Sequence, residues 1–249
     1  MDDNGKAIPT ANPYGNTHGS LCEIDGKWWV FYHRQTGTTE FSRQAMVAPV
    51  DVKVEKGKGG KVIISEGEYN SEGFCTEGLN PLNTSAAGWA CYLTNPKGVG
   101  QSFPNFYFTG SYIKPTRWNP DSYAGPFNLK QPWCPVINNT AGSVVGYKYF
   151  NFDHTAKADR IDFTAHIKAD GNAGTVTLLV GGPTSAQGGR RIASFEVGAD
   201  PSDGIVEIRT SANELKGTKG KQGLYFIFDS PVEDKSICEL YDFRFEIDR

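Results

Sequence analysis

Near the C-terminus, Ile161-Asp162-Phe163-Thr164-Ala165-His166-Ile167 and Leu240-Tyr241-Asp242-Phe243-Arg244-Phe245-Glu246-Ile247 alternate apolar and polar side chains. A period of two sends apolar groups to one face of an extended strand and polar groups to the other, a pattern no helix satisfies. Residues 143–152, 160–168, 175–180, 191–197, 205–210, 223–228 and 238–247 all read as such strands. They start roughly 12 to 18 residues apart, with turns such as Gly181-Gly182-Pro183 and Gly188-Gly189 between them. Strands that bury one face each must pair into sheets and stack. Residues 136–249 are therefore expected to form an antiparallel, jelly-roll-like β-sandwich.

The rest of the chain points the same way. Of 249 residues 12% are aromatic and 29 are glycine, a composition suited to an all-β protein rich in tight turns. A net charge of −3 with no basic stripe excludes a nucleic-acid partner. The one basic cluster, 216–221, is interrupted by glycines and reads as a solvated turn. No apolar run reaches the roughly 18 residues a membrane span needs, and the N-terminus lacks the basic and apolar segments of a secretory signal. Cys22, Cys75, Cys91, Cys134 and Cys238 have neither an even count nor zinc-ligand spacing, so buried, inert thiols are expected.

At the other end, Asn12-Pro13-Tyr14-Gly15-Asn16-Thr17-His18-Gly19-Ser20 is a loop that delivers an imidazole to the mouth of a strand. Asp25-Gly26 then turns between two aromatic, β-branched runs. Strands are expected over 21–24, 28–34 and 41–50, and a fourth over 61–65 after the Gly57-Lys58-Gly59-Gly60 turn. Four antiparallel strands in about 45 residues are the size of one propeller blade, and one blade cannot bury both faces of its sheet. Alone, the first 65 residues should be poorly protected or self-associating. The expected division is a last propeller blade with a wrap-back segment over 1–100, an aromatic and Pro-rich connector over 101–135, and the sandwich over 136–249.

Asn16-Thr17-His18-Gly19-Ser20, then Asp25-Gly26-Lys27-Trp28-Trp29-Val30-Phe31-Tyr32-His33-Arg34 and Phe41-Ser42-Arg43-Gln44, resemble the last blade of family 43 glycoside hydrolases. These are five-bladed β-propellers acting mostly on arabinose- and xylose-containing plant polysaccharides. Gly78-Leu79-Asn80-Pro81-Leu82 and Ala90-Cys91 resemble a segment that follows that blade and wraps back on the propeller. Gly146-Tyr147-Lys148-Tyr149-Phe150, Gly223-Leu224-Tyr225-Phe226-Ile227-Phe228 and Tyr241-Asp242-Phe243-Arg244-Phe245 resemble family 6 carbohydrate-binding modules. Those modules commonly offer a tryptophan for sugar stacking where this chain has residues 198–205, and no tryptophan follows Trp133.

The resemblance implies an inverting hydrolysis with paired carboxylates on either side of the glycosidic bond. In the family these lie upstream of the histidine turn, where this chain has only Asp2 and Asp3, in a context that matches neither; Glu23, Asp25 and Glu40 read as turn charges. No catalytic acid or base is nominated. By resemblance His18 supports a central calcium ion or water network, and Arg43 reaches towards the central carboxylates. A structural calcium is implied at Asp242, and no organic cofactor. Trp118, Tyr123 and Trp133 of the connector, with Tyr147, are candidate sugar contacts. The expected partners are plant cell-wall polysaccharide and the missing upstream blades, and the expected location of the full-length protein is secreted or periplasmic. Three readings follow: part of a glycoside hydrolase inactive alone, a non-catalytic carbohydrate-binding protein, or a scaffold.

Overall fold

The computed structural model describes residues 18–35, 43–96, 112–114 and 134–248. Its first sheet is a three-stranded antiparallel meander of β1 (Gly19–Ile24), β2 (Lys27–Gln35) and β3 (Arg43–Val50). The β1–β2 turn is the tight one the sequence announces. Asp25 and Gly26 take φ of 50° and 75°, and Ile24 pairs with Lys27 directly across them. Alternation along β2 gives the sheet two working faces. Trp29 and Phe31 meet Phe74 with ring centroids 5.1 and 5.8 Å apart, whereas Tyr32 meets Tyr69 edge-on at 5.0 Å.

The expected fourth strand does not join this sheet. It forms β5 (Val62–Ile64), which pairs only with β4 (Val52–Val54) in a separate ribbon whose Val54, Val62, Ile63 and Ile64 are exposed. Instead, residues 67–74 cross the edge of β3 and cover both faces. A Cβ on Gly67 would touch Val30 and Val50, while Phe74 lies on the opposite side against Trp29. Among the described residues this sheet has three strands, and residues 67–74 cover its faces.

The following segment was expected to wrap back on the propeller; it contacts the blade through Phe74 and Gly88 and is also built into the sandwich. β6 (Ser85–Ala86) pairs with Asp242 and Phe243, and β7 (Tyr92–Thr94) pairs with Val144–Gly146. Leu79 exchanges backbone hydrogen bonds with Tyr149 and Asn151. Gly78 makes that approach possible: its φ is 90°, and a Cβ there would lie 2.8 Å from the Asn151 nitrogen. Within the expected connector, β8 (Tyr112–Ile113) pairs with β9 (Val136–Ile137) and so also joins the sandwich.

The seven expected sandwich strands all form: β10 (Val144–Asn151), β11 (Arg160–Ala169), β12 (Gly174–Gly181), β13 (Arg190–Val197), β14 (Val206–Ser211), β15 (Lys221–Asp229) and β16 (Cys238–Asp248). One sheet runs β13-β12-β15-β10-β7, and the other β14-β11-β16-β9-β8. Between them Phe163, Phe226, Phe243 and Phe245 are fully buried, with centroid separations of 5.0 Å for Phe226–Phe243 and 5.3 Å for Phe163–Phe245. Each such ring contributes about 2–3 kcal/mol by leaving water, so the sheets are held by this aromatic layer. A register shift between His166 and Ile167 absorbs the break in the pattern at Tyr241-Asp242. All five cysteines are free, and burial pushes the Cys91 and Cys238 thiols up, away from reactivity.

Candidate functional site

Arg34 lies at the end of β2, where the blade meets the sandwich. It is 4% exposed and carries no carboxylate partner among the described residues. Its Nε and Nη2 donate to Gln44 Oε1 at 2.9 and 2.7 Å, and Nη2 also reaches the Gly88 carbonyl at 3.1 Å. Gln44 Nε2 donates to the same carbonyl at 2.8 Å, so one acceptor in the sandwich-bound segment holds two side chains of the blade. Burial lowers the guanidinium's pKa, the expected response of a cation removed from water. The Nη1 and Tyr32 hydroxyl atoms are buried without hydrogen-bond partners among the described residues. Burial, and then the neighbouring Tyr69, push the Tyr32 phenol up.

Beside this joint opens a cleft of about 420 Å³ walled by Phe31, Met46, Phe74 and Trp89, with Gln44 and Glu72 among its polar lining groups. Phe74 is 57% and Trp89 43% exposed, large apolar faces left open to solvent. One wall is held rigidly to the sandwich. Glu72 pairs with Lys221 at 2.7 Å, and Glu68 takes Lys148 at 2.7 Å while accepting from the Tyr149 hydroxyl at 3.0 Å. Burial and the Glu68 carboxylate push the Tyr149 phenol up to about 12, so it stays a donor. Exposed aromatic faces beside an amide and a carboxylate offer what the apolar face and hydroxyl rim of a sugar ring require.

The other expected site residues are dispersed. His18 is exposed immediately before β1, its ring edge-on to His33 at a centroid separation of 5.3 Å. Arg43 is exposed at the start of β3, with no carboxylate among the described residues within ion-pair reach. Trp118, Tyr123 and Trp133 lie outside the described residues. Tyr147 is not a sugar contact but a core residue. It is fully buried, its hydroxyl donates to the Ala87 carbonyl at 2.9 Å, and its ring packs 4.8 Å from that of Phe243. Its neighbours Gly146 and Lys148 take the outward positions, so alternation sends Tyr147 inwards.

Asp242, the residue expected near a structural calcium, lies beside an imidazole. Its Oδ1 lies 2.6 Å from His166 Nδ1, and His166 Nε2 faces Glu207 at 3.6 Å. Calcium requires six to eight converging oxygens. Among the described residues no group of three His, Cys, Asp or Glu side chains is placed to hold a metal, and Asp242 is committed to an imidazole. His154 sits in a short 3-10 turn after β10.

The solvent side of the β14-β11-β16 sheet carries instead a charge network. Asp162 is bracketed by Arg160 and Arg209, each at 2.9 Å, and Arg209 also reaches Glu246 at 3.0 Å. Burial alone would raise the Asp162 carboxyl, but the hydrogen bonds and charges of Arg160 and Arg209 outweigh it and hold it below its ordinary value. Sequence reasoning missed Arg34, Gln44 and Trp89. A signal for Arg34 was present: it shares the face of β2 that carries Val30 and Tyr32.

No family model matches the chain. Over 138 residues, 55% of its length, it is 30% identical to a xylosidase/arabinosidase of Thermoclostridium stercorarium, of which it spans 26%. Its fold is similar to that of a glycoside hydrolase family 43 arabinoxylan arabinofuranohydrolase from Bacillus subtilis, solved in complex with cellotetraose. The TM-score is 0.54 at 16% identity, covering 94% of this chain and 41% of that one. A family 6 carbohydrate-binding module aligns over 68% of this chain and 97% of its own at a TM-score of 0.44 and 12% identity. The likeness to family 43 glycoside hydrolases read from the histidine turn and its hairpin is thus borne out, and it extends through the blade and the sandwich together.

Proposed function

We propose that this chain is the C-terminal portion of a family 43 glycoside hydrolase that cleaves O-glycosyl bonds in arabinose- and xylose-containing plant polysaccharides. In that enzyme it supplies the closing propeller blade and a carbohydrate-binding-like sandwich. The observation that carries this reading is the pairing of a blade with a sandwich in one fold, matched over 94% of the chain by a family 43 structure. The similarity to a xylosidase/arabinosidase supports this choice of sugar class. Inverting hydrolysis needs two carboxylates roughly 6.5–9.5 Å apart across the scissile bond. By the family resemblance this pair lies upstream of the histidine turn, so on this reading the polypeptide alone is inactive, and the acid and base come from the blades it completes. An ion or water network beside His18 belongs to the same proposal, with its oxygen ligands supplied by those blades. The full-length enzyme works outside the cytoplasm, where its polymeric substrate is.

The test is release of nitrophenol from aryl α-L-arabinofuranosides and β-D-xylosides by the 249-residue polypeptide, alone and joined to the four upstream blades of a family 43 propeller. Activity only in the joined form supports the reading; turnover by the polypeptide alone overturns its inactivity. A second reading, carbohydrate binding without catalysis, is favoured by the exposed faces of Phe74 and Trp89 in the junction cleft. Retardation in arabinoxylan gels that is lost in Trp89→Ala would support it, and unchanged retardation would remove the cleft from consideration.

A further inference from the structure

We infer that the loops at one end of the sandwich form a pocket for the carboxylate of an acidic sugar, a uronic acid carried on the polysaccharide. The inference deepens the reading above by naming a substrate class, and it concerns a surface away from the junction cleft. The β12–β13 hairpin and the turn before β15 enclose about 440 Å³ between them, lined by Arg190, Lys216, Thr218, Lys219 and Gln222 with glycine backbone between. Three cationic side chains and no acidic one face this space, in a chain whose net charge is −3. The basic cluster that reads from sequence as a solvated turn thus becomes one wall of a concave site, with Arg190 brought to it from another strand.

The pocket is built rather than merely charged. The guanidinium of Arg190 is clamped by two acceptors in the opposite loop, the Glu214 carbonyl and Thr218 Oγ1, the latter at 2.6 Å. The loop itself is fixed by Thr218 N to the Leu215 carbonyl at 3.0 Å and Gln222 Nε2 to the Lys219 carbonyl at 3.3 Å. Beyond it, Gly220 N donates to Asp153 Oδ1 at 3.0 Å. Lys216 and Lys219 form no ion pair with any described carboxylate, whereas Lys221 next to them is taken by Glu72. Gly188 and Gly217, at φ of 84° and 74°, leave open space where a Cβ would stand, so a ligand can lie against bare backbone. A planar guanidinium and two ammonium groups match one carboxylate. Thr218, Gln222 and the glycine backbone offer partners for the hydroxyls of the same sugar.

The experiment is isothermal titration of the whole chain with three ligands: xylotriose bearing a glucuronic acid branch, unbranched xylotriose, and inorganic phosphate. The branched ligand should bind at least about five-fold more tightly than the neutral one, the size of effect two exposed charges give. That margin should shrink between about 50 and about 500 mM NaCl as the charges are screened. Lys216→Glu/Lys219→Glu should abolish the preference and leave both the thermal midpoint and neutral-ligand binding unchanged. Equal affinity for the branched and unbranched ligands, a preference that survives in the double variant, or phosphate competing as strongly as the branched ligand would each overturn the inference. Its failure is separable from that of the function proposed above. Activity restored by the upstream blades with no uronate preference removes only the pocket, and a preference without restored activity removes only the hydrolase reading.

Discussion

Arg34 Nη2 donates to the Gly88 carbonyl at 3.1 Å, a bond that spans 54 residues and joins the blade to the segment strapped onto the sandwich. Gln44 bonds the same oxygen and the same guanidinium, closing a triangle across the joint. A buried cation without a counter-charge is costly, so the joint holds through its hydrogen bonds.

Replacing Arg34 therefore separates two effects. Arg34→Ala leaves Gln44 Oε1 without its donor and opens a void, while Gln44 Nε2 keeps the Gly88 carbonyl, and should destabilise the blade by about 2–4 kcal/mol. Arg34→Met fills the void and removes the buried charge, and should cost clearly less. Hydrogen exchange should accelerate across β1–β3 in the alanine variant while the β11–β16 pairing stays protected; uniform acceleration in both would show that the joint does not divide the chain.

Tyr147→Phe keeps the ring in the core and removes only the hydroxyl that reaches Ala87. The expected loss is about 1 kcal/mol in denaturant unfolding. Retention in arabinoxylan gels should not change, because the side chain is sealed from solvent.

Phe243→Ala strikes the centre of the aromatic layer, where the ring meets Tyr147, Phe150, Phe163 and Phe226. A loss of about 3–5 kcal/mol is expected, read from the midpoint of the sandwich's unfolding transition.

Asp162 sets an acid limit on stability. Its carboxyl is held below its ordinary value in the folded chain, so the unfolded chain binds the proton more readily. The stabilisation is complete above the unfolded value of about 3.9 and is lost as the pH falls from there through the folded value. Asp162→Asn should flatten the stability profile below about pH 4, and an unchanged slope there would show that Arg160 and Arg209 do not act through this group.

The sandwich was legible because its signal is local. Alternation in Arg160–Ala169 and glycine at the turns specify strand and face without reference to any partner. The hairpin was legible for the same reason, since Asp25-Gly26 permits the positive φ values its turn needs. Sheet membership was not. Val62–Ile64 has the composition of a fourth blade strand, yet it pairs with Val52–Val54 in a separate ribbon. Ser85–Ala86 and Tyr92–Thr94 are too short to declare a partner, and backbone pairing gave them to the sandwich.

The sequence by itself determined the all-β class, the strand set of the C-terminal half and the likeness to a family of sugar-cleaving propellers. These depend on neighbours within a few positions and on residue types that stand together. Tertiary structure alone decided that Tyr147 is core, that Asp242 holds His166, and that Arg34 and Gln44 meet at Gly88. Each depends on which remote group fills the space a side chain enters. Alternation names the face a residue points to and says nothing of what waits there.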